Sequence, residues 1–373
     1  MAQVSDNESS KSSNSASSSG SAATMSVGYD PVWPPITIDL LDGEYMHDLK
    51  GPNQSKKTLT EFVNAMTDSD VYNVFFHYTT VIQRDPRKAI STYKKWPDQN
   101  RYTDIPCYDD TRVKVKHPTA DHDYYHASYV AGYRAQAYIL AQSPMPHNAE
   151  QWWHMIWQEK VPVIINMVPL DGVACPRYLP INTEKALTFG PFTIEASSHE
   201  CVRGHYCATN IHVAKDGKEW RHLLHVICHD WDTRLGTPTR PTEVLNLLTD
   251  LNNAYEGLVE EAEGVGWLNR EDKSPILVSC HTGVNRSATL VALDILCKRL
   301  EESIDDPDGP LIDVENTVLK LRTQRAMAVQ RPEQYLFLHL AAFEFALRRR
   351  MLRDEDAQVG AISAFKLEIT EDA

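Results

Sequence analysis

Ile276-Leu277-Val278-Ser279-Cys280-His281-Thr282-Gly283-Val284-Asn285-Arg286-Ser287 is the stretch that decides how the chain folds. Pro275–Ser279 is short and apolar, as a buried strand requires, and Ser287–Leu300 carries Leu290, Leu293, Leu296 and Cys297 at helical spacing. The order is strand, loop, helix. A cysteine that leaves a strand, followed by five loop residues and an arginine that opens a helix, makes an anion cradle. The amides of His281, Thr282, Gly283, Val284 and Asn285 can turn inward, and the helix N-terminus adds partial positive charge. Arg286 can hold two phosphate oxygens with its planar fork. The same field favours the thiolate of Cys280, which is the nucleophilic form, and Ser287 can donate to the sulfur and help it leave. Taken alone, the segment is also compatible with an inert cysteine at a strand end and a surface arginine.

Outward from this segment, Lys57–Thr67 and Ser69–Arg84 have helical apolar spacing, and Thr242–Glu263, Val314–Met327 and Pro332–Leu347 read as further helices. Tyr124–Val130 alternates as a strand does. Ala149–Glu159, rich in tryptophan, reads as a helix that runs into Val161–Val168, a buried strand. Tyr206–Val213 and Glu219–Ile227 flank Asp216-Gly217, a hairpin signal. Strands and helices mix from about residue 55 to 350 with no repeat and no low-complexity break, which implies a single α/β domain. The expected organisation is a Ser-rich tail over 1–29, one domain over 30–352 and an acidic C-terminal tail over 353–373. Ser5–Ser26 has no aromatic residue and no apolar periodicity, so disorder is expected there, as a solubilising or phosphorylatable segment.

Lys and Arg number 37 against 51 Asp and Glu, a formal charge of −14 over 373 residues. That balance argues against nucleic acid as a partner but leaves room for one basic pocket. No segment approaches the ~20 apolar residues of a membrane span, and Met1–Met25 lacks the apolar core of a secretory signal. The seven cysteines are odd in number and scattered, which points to a reduced, cytoplasmic protein. His199, Cys201, His205 and Cys207 lack the paired spacing of zinc modules, and alternation along a hairpin arm explains them as well, so no metal is expected.

Further segments resemble the protein tyrosine phosphatase family, of the classical, non-receptor type in divergent form. Asn100-Arg101-Tyr102-Thr103-Asp104-Ile105, continuing to Asp110-Thr111-Arg112-Val113, is similar to the family's phosphotyrosine-recognition loop. Asp123-Tyr124-Tyr125-His126-Ala127-Ser128-Tyr129 resembles its D-Y-I-N-A-S segment. Tyr138–Pro144, followed by Trp152-Trp153 and Trp157, resembles its Y-I-A-T-Q-G-P helix start, and Val329–Tyr335 its glutamine loop. The segments keep the family's order from about residue 57 to 347. The resemblance implies a twisted mixed β-sheet flanked by helices, no metal or organic cofactor, and phosphotyrosine-containing proteins as substrates. It also implies roles. Tyr102 would stack on the substrate ring and deepen the cleft, Asp104 would bind the substrate backbone, and Gln330 and Gln334 would orient the water that hydrolyses a cysteinyl-phosphate.

Several positions depart from the family pattern. Ser279 stands where a histidine precedes the cysteine, Asn285 replaces the loop's last glycine, and Ala288 follows Ser287. Asn tolerates left-handed backbone better than most residues, though its width can crowd the phosphate. The family's general-acid loop reads W-P-D-x-G-x-P; here Gly236, Pro238, Pro241, Leu245 and Asn246 fall in register. Ungapped counting puts Arg234, which cannot give up its proton at pH 7, at the acid position. Anchoring on Trp231 instead makes Asp232 the candidate acid, with Asp230 and the absence of any acid as alternatives. Cys175–Pro180 matches the end of the family's glutamate loop, but Ala174 replaces its lysine and Pro169 its glutamate, for which Asp171 is a possible substitute. Two readings result: a phosphatase, and a pseudophosphatase that binds phosphotyrosine with little turnover. A dual-specificity or lipid phosphatase is a weaker third, since shallow-pocket relatives lack the Tyr102 wall.

Overall fold

The computed structural model describes residues 57–180, 185–202, 205–229, 231, 236–238 and 240–352. The Ser-rich tail, the acidic C-terminal tail, and Asp230, Asp232 and Arg234 lie outside the described residues. The strands are β1 (Arg112–Lys114), β2 (Tyr124–Val130), β3 (Tyr138–Gln142), β4 (Val163–Asn166), β5 (Leu187–Phe189), β6 (Phe192–Val202), β7 (Tyr206–Lys215), β8 (Glu219–Cys228) and β9 (Ile276–Cys280). They form one nine-stranded sheet in the order β1-β2-β3-β9-β4-β8-β7-β6-β5. In its centre β3, β9, β4 and β8 run parallel, and both flanks are antiparallel. The expected mixed sheet flanked by helices is therefore present.

Parallel strands are covered on both faces, so their side chains must be apolar throughout. β4 and β9 are buried at every residue. The helices are α1 (Leu59–Thr67), α2 (Val71–His77), α3 (Ser91–Lys95), α4 (Ala149–Gln158), α5 (Pro241–Gly264), α6 (Arg286–Glu302), α7 (Val314–Gln324) and α8 (Pro332–Arg348). α6 is buried from Ser287 to Cys297 and packs against α7 and α8. A helix so enclosed holds its first residue, Arg286, firmly. No helix among the described residues is long and apolar enough to cross a membrane.

Three expectations change. Tyr138–Gln142 is strand β3, not the start of a helix. It pairs with β2 and β9 through backbone hydrogen bonds, and the helix begins only at Ala149, after Pro144 and Pro146. β5 and β6 were not anticipated, because an outer strand such as β6 is mostly exposed and carries few apolar residues. The all-reduced reading of the cysteines also fails: Cys201 and Cys207 face each other in the β6–β7 register and form a disulfide. Sequence spacing does not reveal such a facing pair until the strands are aligned.

Candidate active site

Cys280 ends β9, in the parallel part of the sheet, and the carboxyl ends of parallel strands are where open α/β sheets place their ligands. The residue is only 1% exposed. Its Sγ lies 3.1 Å from Ser287 Oγ and 3.6 Å from Thr282 Oγ1, and the Gly283 amide donates to it at 3.2 Å. Burial opposes ionisation of this thiol. The charge of Arg286 and hydrogen bonds from Ser287 and Thr282 outweigh it, holding the thiol below its ordinary value. Ser279 Oγ, in contrast, reaches toward β4, 3.4 Å from Ile165 O and 3.3 Å from Asn166 Oδ1.

The loop is shaped from beneath by Arg325, which sequence reasoning missed. Its guanidinium is fully buried and donates to Thr282 O (3.0 Å), Gly283 O (3.2 Å), His126 Nδ1 (2.8 Å) and Ser128 Oγ (3.3 Å). A trans peptide points its C=O and N–H in opposite directions. By holding the carbonyls of Thr282 and Gly283, Arg325 turns the amides of Gly283 and Val284 the other way. Those amides bond to Cys280 Sγ and to Thr282 Oγ1 (3.2 Å). Burial, then the charge of Arg325, pushes His126 down to about 3, so its ring is neutral and Nδ1 accepts. Gly283 has φ +71°, and a Cβ there would come within 2.5 Å of the Ala141 carbonyl carbon. Only glycine fits. The one local hint of Arg325 is a pair of arginines three residues apart, Arg322 and Arg325, beside core leucines.

Other candidates are tied to this loop or to the strand beside it. The Arg101 amide donates to Gln142 Oε1 (3.0 Å), and its guanidinium to Ser143 O (3.2 Å) and Pro144 O (2.8 Å). This ties the Tyr102 loop to the end of β3, the strand beside Cys280. Tyr102 is 41% exposed, and Asp104 is also exposed. Burial, then the charges of Arg286 and Arg101, lowers His281 to about 4, so positive charge in the site comes from arginines and amides. Val284 O accepts from the Val329 amide at 2.9 Å, which brings the glutamine loop alongside. Asn285 Nδ2 donates to Gln330 Oε1 at 3.2 Å, and Gln334 Nε2 donates to Asn285 Oδ1 at 2.5 Å. Arg286 Nη1 donates to Met167 O at 2.8 Å.

The family model for protein-tyrosine phosphatase matches residues 96–344, a span that includes this site. The chain belongs to the protein-tyrosine phosphatase family. It is similar to tyrosine-protein phosphatase non-receptor type 9 of Homo sapiens, 30% identical over 322 residues, covering 84% of this chain and 52% of that protein. The Mus musculus protein of the same name is 29% identical over 326 residues, covering 84% of this chain and 52% of that protein. Tyrosine-protein phosphatase 69D of Drosophila melanogaster is 29% identical over 308 residues, with 79% and 20% covered. The chain spans about half the length of the first two relatives.

Within this member of the family, the support for Arg286 is a backbone carbonyl. Asp171, weighed as a substitute for the missing glutamate, accepts from the amides of Val173 (2.8 Å) and Ala174 (2.7 Å) and closes its own turn. Trp231 is buried and lies against Phe337, ring centroids 6.3 Å apart, so the start of the acid loop is anchored in the core.

Two groups of side chains elsewhere among the described residues are close enough to share an ion. In His199, Cys201 and Cys207 both sulfurs are already bonded to each other. In His117, Glu150 and His154, the His117 Nδ1 accepts from the amides of Thr119 (3.3 Å) and Ala120 (3.0 Å). That leaves its proton on Nε2, 3.3 Å from Glu150 Oε1, so this nitrogen faces the carboxylate as a hydrogen-bond donor and not as a metal ligand.

Proposed function

We propose that this chain is a working protein tyrosine phosphatase acting through a cysteinyl-phosphate. The observation that carries the reading is one buried sulfur, at a strand end facing a helix N-terminus, with hydroxyl and amide donors and Arg286 arranged to favour its ionised form against the effect of burial. Cys280 Sγ attacks phosphorus, and the P–O bond to tyrosine breaks as the S–P bond forms. Arg286 and the amides from His281 to Asn285 hold the equatorial oxygens. A carboxylic acid, Asp232 in this proposal, protonates the departing tyrosine oxygen. Water then attacks phosphorus, its proton returns to that carboxylate, and the electron pair of the S–P bond returns to Cys280, stabilised by Ser287. Tyr102 walls the cleft, Asp104 holds the substrate backbone and Gln330 orients the water. No metal or organic cofactor takes part. The catalytic unit proposed is the 30–352 domain, in the cytoplasm, where Cys280 stays reduced.

A second reading, a phosphotyrosine-binding pseudophosphatase, is favoured by two observations: Ser279 bonds toward β4, and Arg286 rests on Met167 O. Hydrolysis of an aryl phosphate and a phosphotyrosine peptide, beside Cys280→Ser, separates the two. The enzyme reading expects turnover in wild type and only binding in the variant. If wild type is no faster than Cys280→Ser at pH 5 to 7 while both bind the peptide, the pseudophosphatase reading replaces it. Asp232→Asn with an unchanged rate removes the acid assignment.

A further inference from the structure

Asn285 stands where the family pattern has glycine, and its side chain meets both glutamines. Gln334 Nε2 donates to Asn285 Oδ1 (2.5 Å) and to Gly236 O (2.9 Å), while Gln334 Oε1 accepts from the Arg331 amide (3.2 Å). An amide nitrogen carries two hydrogens, so both of Gln334's are spent and its oxygen is engaged as well. The residue is fully buried. A Cβ on Gly236 would lie 2.8 Å from both Asn285 Oδ1 and Gln334 Nε2, so little room is left between these groups. Gln334 is thus occupied as a structural joint between the cradle, Gly236 and the N-terminus of α8.

Gln330 is placed differently. It is half-buried at the rim of the cradle and, among the described residues, makes one hydrogen bond, accepting at Oε1 from Asn285 Nδ2. An amide oxygen has two lone pairs, so one remains for a water. With glycine at 285 the Gln330 side chain would keep its rotamer freedom and lose it only on orienting a water; Asn285 restricts it beforehand.

We infer that Asn285 is a positioning residue for the second displacement: it takes Gln334 out of the chemistry and holds Gln330 as the one glutamine that orients the attacking water. This rests on the phosphatase reading above. In the step concerned, water oxygen attacks phosphorus, the S–P electron pair returns to Cys280, one water proton passes to the acid-loop carboxylate, and the other O–H donates to Gln330 Oε1. Formation of the cysteinyl-phosphate makes no use of that bond.

The test is quenched-flow hydrolysis of p-nitrophenyl phosphate by the full chain, comparing release of the first nitrophenol with steady-state turnover. Asn285→Gly is expected to slow hydrolysis of the phosphoenzyme by ~10-fold, the effect of one lost orienting hydrogen bond, while the first nitrophenol appears within about twofold of the wild-type rate. A burst approaching one nitrophenol per site then appears or grows. Asn285→Asp keeps an acceptor for Gln334 but loses the donor to Gln330, and carries the same expectation should the glycine variant fail to fold. Gln330→Met reproduces the loss, and combining it with Asn285→Gly adds nothing. Unchanged or faster phosphoenzyme hydrolysis in both Asn285 variants overturns the inference. A wild type that releases no first nitrophenol fails the phosphatase reading itself, and the inference falls with it.

Discussion

Two loops flank the guanidinium of Arg286, and they are built to different standards. In the loop from His281 to Asn285, the donors around Cys280 are held from behind by a second residue: Arg325 fixes two carbonyls, and Gly283 admits the chain close to β3. In the loop from Met167 to Tyr178, Arg286 donates to the Met167 carbonyl, and Asp171 spends its carboxylate on its own turn. A charge-assisted bond to a carboxylate is roughly twice as strong as a neutral one and can be bidentate. The difference teaches that anion binding and precise orientation of the arginine are separable: the first is fully furnished here, the second is lean.

The sharpest way to break this comparison is at the arginine itself. Arg286→Met is expected to lower kcat/KM on a phosphotyrosine peptide by about 10³-fold. It also weakens peptide binding and moves the Cys280 thiol upward, because Arg286 is its largest favourable influence. Titration of alkylation rate against pH reads that shift directly. A loss under tenfold would mean that the amides alone do the work.

On the furnished side, Gly283→Ala is expected to cost about 2–3 kcal/mol of stability, measured by urea unfolding, because strain at φ +71° adds to overlap with Ala141. A neutral result would show the loop free to shift. Stability should also fall with acid. His126 and His225 are held down to about 3, and His339 to about 4, with burial the largest cause in each. Unfolded, each titrates near 6.5. Between pH 6.5 and about 4 the unfolded chain therefore binds more protons, so stability present above pH 6.5 is lost as pH falls. The slope is up to ~1.4 kcal/mol per pH unit for each such histidine. Urea midpoints at pH 7 and pH 5 check the sign.

On the lean side, effects are small. Asp171→Asn is expected to change kcat/KM by less than about twofold, since Asp171 serves backbone amides and not Arg286. A tenfold loss in steady-state kinetics would make it the missing support after all.

Legibility in the sequence followed the range of the interactions. α5, α6, β2 and β9 could be located within a residue or two, because apolar spacing reports which face is buried. β6 could not, since a mostly exposed strand leaves little such signal. Cys280, Gly283, Arg286 and Ser287 lie within eight residues, and in a strand-loop-helix context their spacing points to a cradle that the other family-like motifs support. Asn285 stood out only as a mismatch with the family.

What the sequence by itself determined is the strand-loop-helix segment around Cys280 and the family that its motifs resemble. The first depends on periodicity, on a glycine and on short spacings, and the second on motifs kept in one order along the chain. Only the tertiary structure decided that Arg325 braces the loop from 42 residues away, that Arg286 rests on Met167 at a separation of 119, and that Gln334 reaches Asn285 at a separation of 49 and Gly236 at 98. It alone also paired Cys201 with Cys207. Each of these is a hydrogen bond or bond between groups that meet only once the sheet has set its register, and for the three hydrogen-bonded contacts no local pattern encodes a partner so far along the chain.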